Sequence, residues 1–363
     1  MNIDIVPLEI PEGIDDGSAA AERFREYIDV RNSVFRTTWN GSRDFDVTYA
    51  AAHGYIRRNK EERQHIHVAL LEGRIAGFAR VDVSLHELDA PAYADIYTDE
   101  PHRRNGVGTA LLQRVNELLR EEGRATTQTW KLHRPASGPQ ISPPNGAGEI
   151  PANSDEVRFL HRAGFSLEQI ERTSVLTFGS DDRSAFERMR REASARASGY
   201  TVRVWTGFTP ADQLANLAAL QARMSTDAPA AGLDVVAETW DAERLAEIES
   251  SVIEGQRRDL LRAVAYSADG VAVAYSTLAV PEAGQQVYQD DTLVHAEHRG
   301  HRLGMLVKTV NLLQLLDTYP ERSRVITWNA EENRHMLAVN EALGFEAVMG
   351  EGAWQRREEW APR

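Results

Sequence analysis

Two apolar runs, Val68–Leu71 and Ile75–Ala79, each flanked by alternating apolar and polar positions, lie along residues 64–84 and are separated at Gly73. The pattern predicts two strands, 64–73 and 74–84, joined by a tight turn. The stretch AYADIYT at 92–98 continues as a third strand. From about 106 to 122 the period lengthens to that of a helix, with Val107, Leu111, Val115 and Leu118 on one face. A fourth strand is expected at 125–132, then a loop, a helix and a strand region at 166–178. The charged stretch 181–198 reads as a connecting helix. A second run then repeats the order. It has a hairpin over 260–280 that turns at Asp269-Gly270, a strand at 286–294, and a helix from about 303 to 317 with Leu303, Val307, Val310 and Leu313 on one face. A strand at 323–329, a helix at 333–343 and a strand region at 345–358 complete it.

The repetition is also visible in the letters. HRRNGVGTALL at 102–112 matches HRGHRLGMLVK at 298–308, so Arg103 pairs with Arg299, 196 positions on. Further along, NSDEVRFLHRAGF at 153–165 matches NRHMLAVNEALGF at 333–345, an offset of 180. The first copy therefore carries 16 additional residues between these anchors. They fall in the Pro-, Gly- and Ser-rich stretch 134–151, which has no apolar period and reads as a long loop, either a lid over a cleft or disordered. Long-period self-similarity of this kind implies two related domains. We place them at 1–179 and 200–363, with a helical linker at 180–199. The expected class is α/β (α+β): two tandem domains, each a mixed, mostly antiparallel sheet flanked by helices.

Composition narrows the function. The 363 residues are 42% hydrophobic and 26% charged, an ordinary globular balance. No apolar run reaches the length of a membrane span, and MNIDIVPLEIPEG has neither the basic nor the apolar region of a signal peptide. A cytoplasmic protein is expected, with no membrane partner. The net charge of −14 argues against a nucleic-acid partner. With no cysteine, the chain has no disulfide, thiolate metal site or thiol nucleophile. His65 and His67 alternate onto one strand face, but no third ligand is evident, so an exposed strand face is expected and no metal site.

Each copy joins a strand to a helix through a turn rich in Arg and Gly. A helix start offers unpaired backbone N–H groups and a positive dipole end, and glycine lets an anion approach the backbone closely. In the first copy the turn is Arg103-Arg104-Asn105-Gly106-Val107-Gly108; in the second it is Arg299-Gly300-His301-Arg302-Leu303-Gly304, where Arg302 replaces the first glycine. With the surrounding order of hairpin, strand, helix, strand and Asn-containing helix ending in Gly-Phe, the chain resembles the GNAT superfamily of acetyl-CoA-dependent N-acetyltransferases. The resemblance covers nearly the whole chain as a tandem pair.

That resemblance implies coenzyme A binding by both turns, including Thr109 and Met305 just beyond them. It implies that the third strand of each copy splays from the fourth, leaving a gap for the acetyl-pantetheine arm beside Thr98 or Val294. It also places the family's thiolate-protonating Tyr at Leu160 and Asn340, neither of which can protonate sulfur, although Asn340 can donate a hydrogen bond to it. Asn329 and Asn333 could meet the pantetheine amides, or Asn333 could simply cap its helix.

Amine acetylation needs a base, and the family's base often lies on the third strand. Strand alternation places Asp290 and Thr292 on the side of Val294 and Asp291 on the other, unless a bulge exchanges them. The first copy has Ala94 and Ile96 at the equivalent places, with Asp95 adjacent. The second copy is therefore the expected catalytic domain, with Asp290 or Asp291 as base; the first is a relic that binds acyl-CoA or buttresses it. Asp227 and Trp328 are candidates for binding the acceptor. The expected acceptor is a primary amine of a small molecule, attacked in a ternary complex by a monomer or homodimer. A non-catalytic acyl-CoA sensor or scaffold and a protein N-acetyltransferase are the competing readings.

Overall fold

Residues 2–358 are described, in a computed structural model. The chain divides into two units: Met1–Ile170 with Ala231–Val236 and Glu351–Arg363, and Glu171–Ala230 with Ala237–Gly350.

The first unit begins with β1 (Asp4–Pro7), α1 (Ala19–Thr38) and α2 (Tyr49–Arg58), elements that precede the first predicted strand. Ser18 and Thr48 start the two helices by accepting the Ala21 and Ala51 N–H groups, the usual way of satisfying a first turn. The predicted hairpin forms as β2 (Glu62–Leu71) and β3 (Arg74–Ser84), followed by β4 (Ala92–Thr98), α3 (Val107–Glu121) and β5 (Thr126–His133). The sheet order is β1-β2-β3-β4-β5, antiparallel except for the parallel β4–β5 pair. Val107, Leu111, Val115 and Leu118 of α3 are all buried against β2, β3 and β4, as their spacing predicts.

The stretch 134–151 is ordered. It carries a two-stranded pair, β6 (Gln140–Ile141) and β7 (Ile150–Pro151). Ile150 is fully buried with Val157, Leu160, Phe165 and Trp354, which anchors the segment to its own unit. Helix α4 (Asp155–Arg162) and strand β8 (Ser166–Thr177) follow. The expected exposed His65/His67 face is covered by α3. His65 bonds Glu122 at 2.8 Å, and buried His67 accepts from Arg114 at 3.1 Å. Burial holds the His67 imidazole down at about 4. Among the described residues no group of His, Cys, Asp and Glu could hold a metal, and no helix is long and apolar enough to cross a membrane.

The second unit contains α5 (Asp182–Arg196), β9 (Thr201–Thr206), α6 (Leu214–Gln221), α7 (Met224–Asp227) and α8 (Ala242–Ser250), which runs into a π-helical turn at Ser251–Gly255. Strands β10 (Arg258–Tyr266), β11 (Ala272–Pro281) and β12 (Gln286–Val294) follow, then α9 (Leu303–Thr318), β13 (Arg324–Ala330), α10 (Arg334–Leu343) and β14 (Glu346–Arg357), whose residues from Glu351 onward belong to the first unit. From Glu171 onward β8 belongs to this unit, and its sheet runs β8-β13-β12-β11-β10-β9, with β12–β13 the parallel pair. Helix α9 is buried on more of its circumference than its apolar stripe predicts: Lys308, Thr309 and Asn311 are buried besides Leu303 and Val307, while Val310 and Leu313 are only partly so. Two partners enclose it: α5 packs along one side through Phe186 and Ala193, and on the other Asn311 donates to the Leu261 and Ser276 carbonyls of the sheet, each at 3.0 Å. Trp360 lies outside the described residues.

Candidate functional site

The two Arg/Gly turns adopt the same backbone by different residues. Two positions in each need a left-handed φ: Arg104 (64°) and Gly106 (85°) in the first copy, Gly300 (89°) and Arg302 (56°) in the second. Glycine adopts this region freely, while an L side chain there costs on the order of 1 kcal/mol. Each copy thus places one glycine and one arginine at these two positions. Arg302, which breaks the sequence motif, does not break the turn. Neither α3 nor α9 has a side chain capping its N-terminus, so the first-turn N–H groups of both face outward as anion donors.

The gap also forms in both copies. Strands β4 and β5 pair only at Ala92–Thr127 and Tyr93–Gln128, and β12 and β13 only from Gln286–Arg324 to Tyr288–Ile326. Beyond those points the strands separate. Thr98 and Val294, at the ends of β4 and β12, face Gly108 and Gly304 at matching places: a Cβ added to Gly108 would lie 3.6 Å from Thr98 Oγ1, and one on Gly304 would lie 3.5 Å from Val294 Cγ2.

The surroundings of the two gaps differ. In the first copy the Phe159 ring closes on Gly108, 3.3 Å from an added Cβ, and Ile3 Cδ1 lies 3.6 Å from one on Gly106. Arg103 and Arg104 are turned to Glu156 and Asp155 of α4. Across the splayed strands, Asp95 pairs with Lys131 in a largely buried contact that Thr129 joins at 3.2 Å and Tyr93 at 2.5 Å. Lys131 also sits 3.9 Å over the Tyr97 ring, and its ammonium is pushed above the usual lysine range by these partners despite its burial. Asn105 and Thr109 are exposed. In the second copy nothing lies within 4 Å of a Cβ added at Gly300, and Gly304 meets only Val294. His301 packs against Tyr200, Arg299 reaches Asp227 at 3.5 Å, and Met305 packs inward.

This openness yields a direct test. Gly304 is the second residue of α9 and is buried, with Val294 Cγ2 3.5 Å from an added Cβ. In Gly304→Asp the favourable place at the helix dipole is opposed by desolvation of the new carboxylate, so the melting temperature is expected to fall while the protein stays folded at assay temperature. The same substitution should weaken acetyl-CoA binding to the second unit by tenfold or more, on the order of one lost charge-assisted contact. Unchanged equilibrium binding would remove this loop from the site.

The decisive irregularity lies on β12. Its register against β11 shifts between Ser276–Thr292 and Leu278–Gln289, so Asp290 and Asp291 together oppose Thr277. That is a β-bulge, which re-aims side chains. Thr292 bonds Ser276 and stays with Val294 toward α9. The expected separation of the two aspartates does not occur: both sit in the field of Arg262, and Asp291 accepts from Tyr275 at 3.5 Å. Both side chains are exposed to solvent, with neighbouring strands crowding the carboxyl groups from one side only. Desolvation lifts Asp290 to about 7, opposed by Arg258 and reinforced by Asp291. It also raises Asp291, against Arg262 and the Tyr275 hydroxyl.

Beneath the pair lies a buried polar network. Arg262 is ion-paired with Glu249, and Glu249 accepts from the Thr209 hydroxyl at 2.6 Å and its N–H at 2.8 Å. Arg262 also reaches Thr277 at 3.3 Å, so the residue opposite the bulge is tied to this network. Removing one member of such a buried ion pair typically costs about 3–5 kcal/mol.

The remaining candidates are placed as follows. Asn340 is buried and donates one N–H to Asn329 Oδ1 at 2.6 Å, leaving one N–H uncommitted. Asn333 caps α10, accepting from Met336 N–H at 3.3 Å. Trp328 stacks on Tyr288, with centroids 6.3 Å apart and planes 9° apart. Residue patterns do not single out Arg258, Arg262, Glu249 or Lys308. Lys308 has a visible signal, a charge inside the apolar face of a helix, where the first copy has Leu112.

Residues 26–135 match the acetyltransferase (GNAT) family model. No curated protein matches the chain. Among solved structures, a tandem GNAT protein from the clavulanic acid biosynthesis pathway, determined without acetyl-CoA, is 23% identical with a TM-score of 0.73, covering 99% of this chain and 100% of its own. A GCN5-related N-acetyltransferase from Sphaerobacter thermophilus is 13% identical, TM-score 0.57, covering 92% of each chain. A glucosamine N-acetyltransferase region of a fungal multi-domain β-N-acetylglucosaminidase is also 13% identical at TM-score 0.57, covering 98% of this chain and 38% of that one. The family match falls within the first copy, whereas Asp290 and Asp291 lie in the second.

Proposed function

We propose, for a chain with a tandem GNAT fold and a GNAT acetyltransferase segment at residues 26–135, that the second unit transfers an acetyl group from acetyl-CoA to a primary amine of a small molecule. The observation that carries this reading is the bulge that brings Asp290 and Asp291 together beside an open Arg/Gly turn. The residues fit the donor: the first-turn N–H groups of α9, with Arg299, His301 and Arg302, suit a pyrophosphate, and the gap beyond Tyr288 suits an extended arm.

Bound acetyl-CoA supplies the thioester. Asp290, poised near neutrality, accepts the proton of the acceptor ammonium, directly or through water. Backbone N–H near Val294 would orient and polarise the carbonyl, and the second N–H of Asn340 would hydrogen-bond the coenzyme A thiolate released as the new C–N bond forms and the C–S bond breaks. Asp227 holds Arg299 in place and is thereby committed to the turn rather than to the acceptor. The first unit, with its gap bridged by Asp95 and Lys131, contributes no base.

Thiol release from acetyl-CoA across a panel of small primary amines tests the reading. At least one amine is expected to accelerate release well above the hydrolytic background. Tight acetyl-CoA binding with no acceleration by any amine would instead support a non-catalytic sensor.

A further inference from the structure

The acceptor side of the second unit holds one charge that no described residue uses. Arg258 opens β10, and its guanidinium carbon lies over the Tyr288 ring, 4.5 Å from the centroid. Tyr288 in turn stacks on Trp328, so three planar groups from β10, β12 and β13 form one shelf. Arg258 makes no hydrogen bond or ion pair with any described residue, and its five donors are held in place by stacking alone. The nearby Arg262 is the opposite case, committed to Glu249, Thr209 and Thr277.

Arg258 acts on Asp290 through space, as the strongest of the charges holding its carboxyl down, yet the two do not pair. This part of the sheet thus carries a separated set: two carboxylates at the bulge and, close enough to act on Asp290, a guanidinium stacked on an aromatic shelf. A simple amine would satisfy the aspartates and leave the guanidinium idle. A polyamine would place further positive charge against it. A phosphate ester would set two negative charges against Asp290 and Asp291 with a single arginine to balance them. A carboxylate brings one charge and the planar geometry that a guanidinium fork matches.

We propose that the acceptor is an amino acid or a closely similar amine bearing a carboxylate a few bonds from its nitrogen, with Arg258 holding the carboxylate and Asp290 and Asp291 receiving the ammonium. This rests on the acetyl-transfer reading for its chemistry, though not for its binding geometry.

The test compares matched acceptors: amino acids, their carboxamides, their decarboxylated amines and their aminophosphonate isosteres. Assays run at pH 9, where Asp290 is ionised with or without Arg258. Wild type is expected to favour the acid over the carboxamide in kcat/KM by about ten- to a hundredfold, the scale of one charge-assisted hydrogen-bond pair. Arg258→Gln should collapse that ratio toward one while leaving the rate with decarboxylated amines within a few fold; Arg258→Lys should restore it in part. A purely structural role would lower all acceptors together and keep the ratio. Calorimetric binding of the same ligands to the protein saturated with coenzyme A gives a second readout that needs no turnover. If amino acids bind selectively and Arg258→Gln abolishes the selectivity, the inference holds even where no acetylation occurs, and only the catalytic reading falls. If carboxamide and acid bind and react alike, or the aminophosphonate is preferred, the inference is overturned while acetyl transfer stands.

Discussion

Asp290→Asn is expected to lower kcat for amine acetylation about a hundred- to a thousandfold, the range that general-base catalysis usually supplies. Asparagine keeps the shape and loses the proton acceptor. The pH profile discriminates this from damage to the fold. In wild type, kcat/KM should rise with pH through about 7 as Asp290 ionises, because desolvation by the surrounding strands and the neighbouring Asp291 charge hold its carboxyl up there. Asp290→Asn should lose that limb. Asp291→Asn removes a charge that raises Asp290, so the limb should move to lower pH with a smaller loss of rate. Stability runs the other way. A carboxyl whose folded pKa stands above its unfolded value of 3.8 favours the unfolded state as pH rises from there through about 7. The asparagine variant should therefore melt no lower than wild type at pH 8, so a lost rate cannot be ascribed to unfolding. Full activity in Asp290→Asn with an unmoved acid limb would sink the assignment.

Much of this site is legible in the amino-acid sequence alone. The offset between the two Arg/Gly strings locates both turns, and the period change from two to 3.6 locates α3 and α9. What periodicity does not show is the bulge, because alternation assumes an unbroken register and one extra residue re-aims everything beyond it. It therefore places Asp290 and Asp291 on opposite sides. Arg258 and Trp328 stand 70 residues apart in sequence and meet only through Tyr288 on the strand between them, a contact that no local pattern encodes. The stretch 134–151 departs from expectation for a related reason. Its Pro and Gly content signals irregular backbone, but one buried Ile150 anchors it, and a single apolar residue carries no period.

Lys308→Met is expected to stabilise the second unit, by up to several kcal/mol at pH 7. Lys308 is 1% exposed on a helix enclosed by α5 and the sheet, and its nearest charge-accepting group is the Phe345 ring, with centroid 5.8 Å away. No carboxylate among the described residues balances it, and burial depresses its ammonium to about 7 from 10.5. That difference is on the order of 4 kcal/mol against the folded state once the lysine is forced to carry a proton. The sign fixes the pH window. Between about 7 and 10.5 the unfolded chain binds a proton that the native state does not, so wild-type stability should climb as pH rises through that range. Methionine has a similar length, fills the same space and has no proton to lose. Its advantage should therefore be largest at pH 7 and below and shrink toward pH 10. In the first copy the matching position is Leu112, so the fold itself does not require an amine here. Thermal unfolding followed from pH 6 to 10 decides the matter: parallel curves for wild type and Lys308→Met would mean that Lys308 is paired and charged in the native protein, and that the cation inside α9 carries no cost.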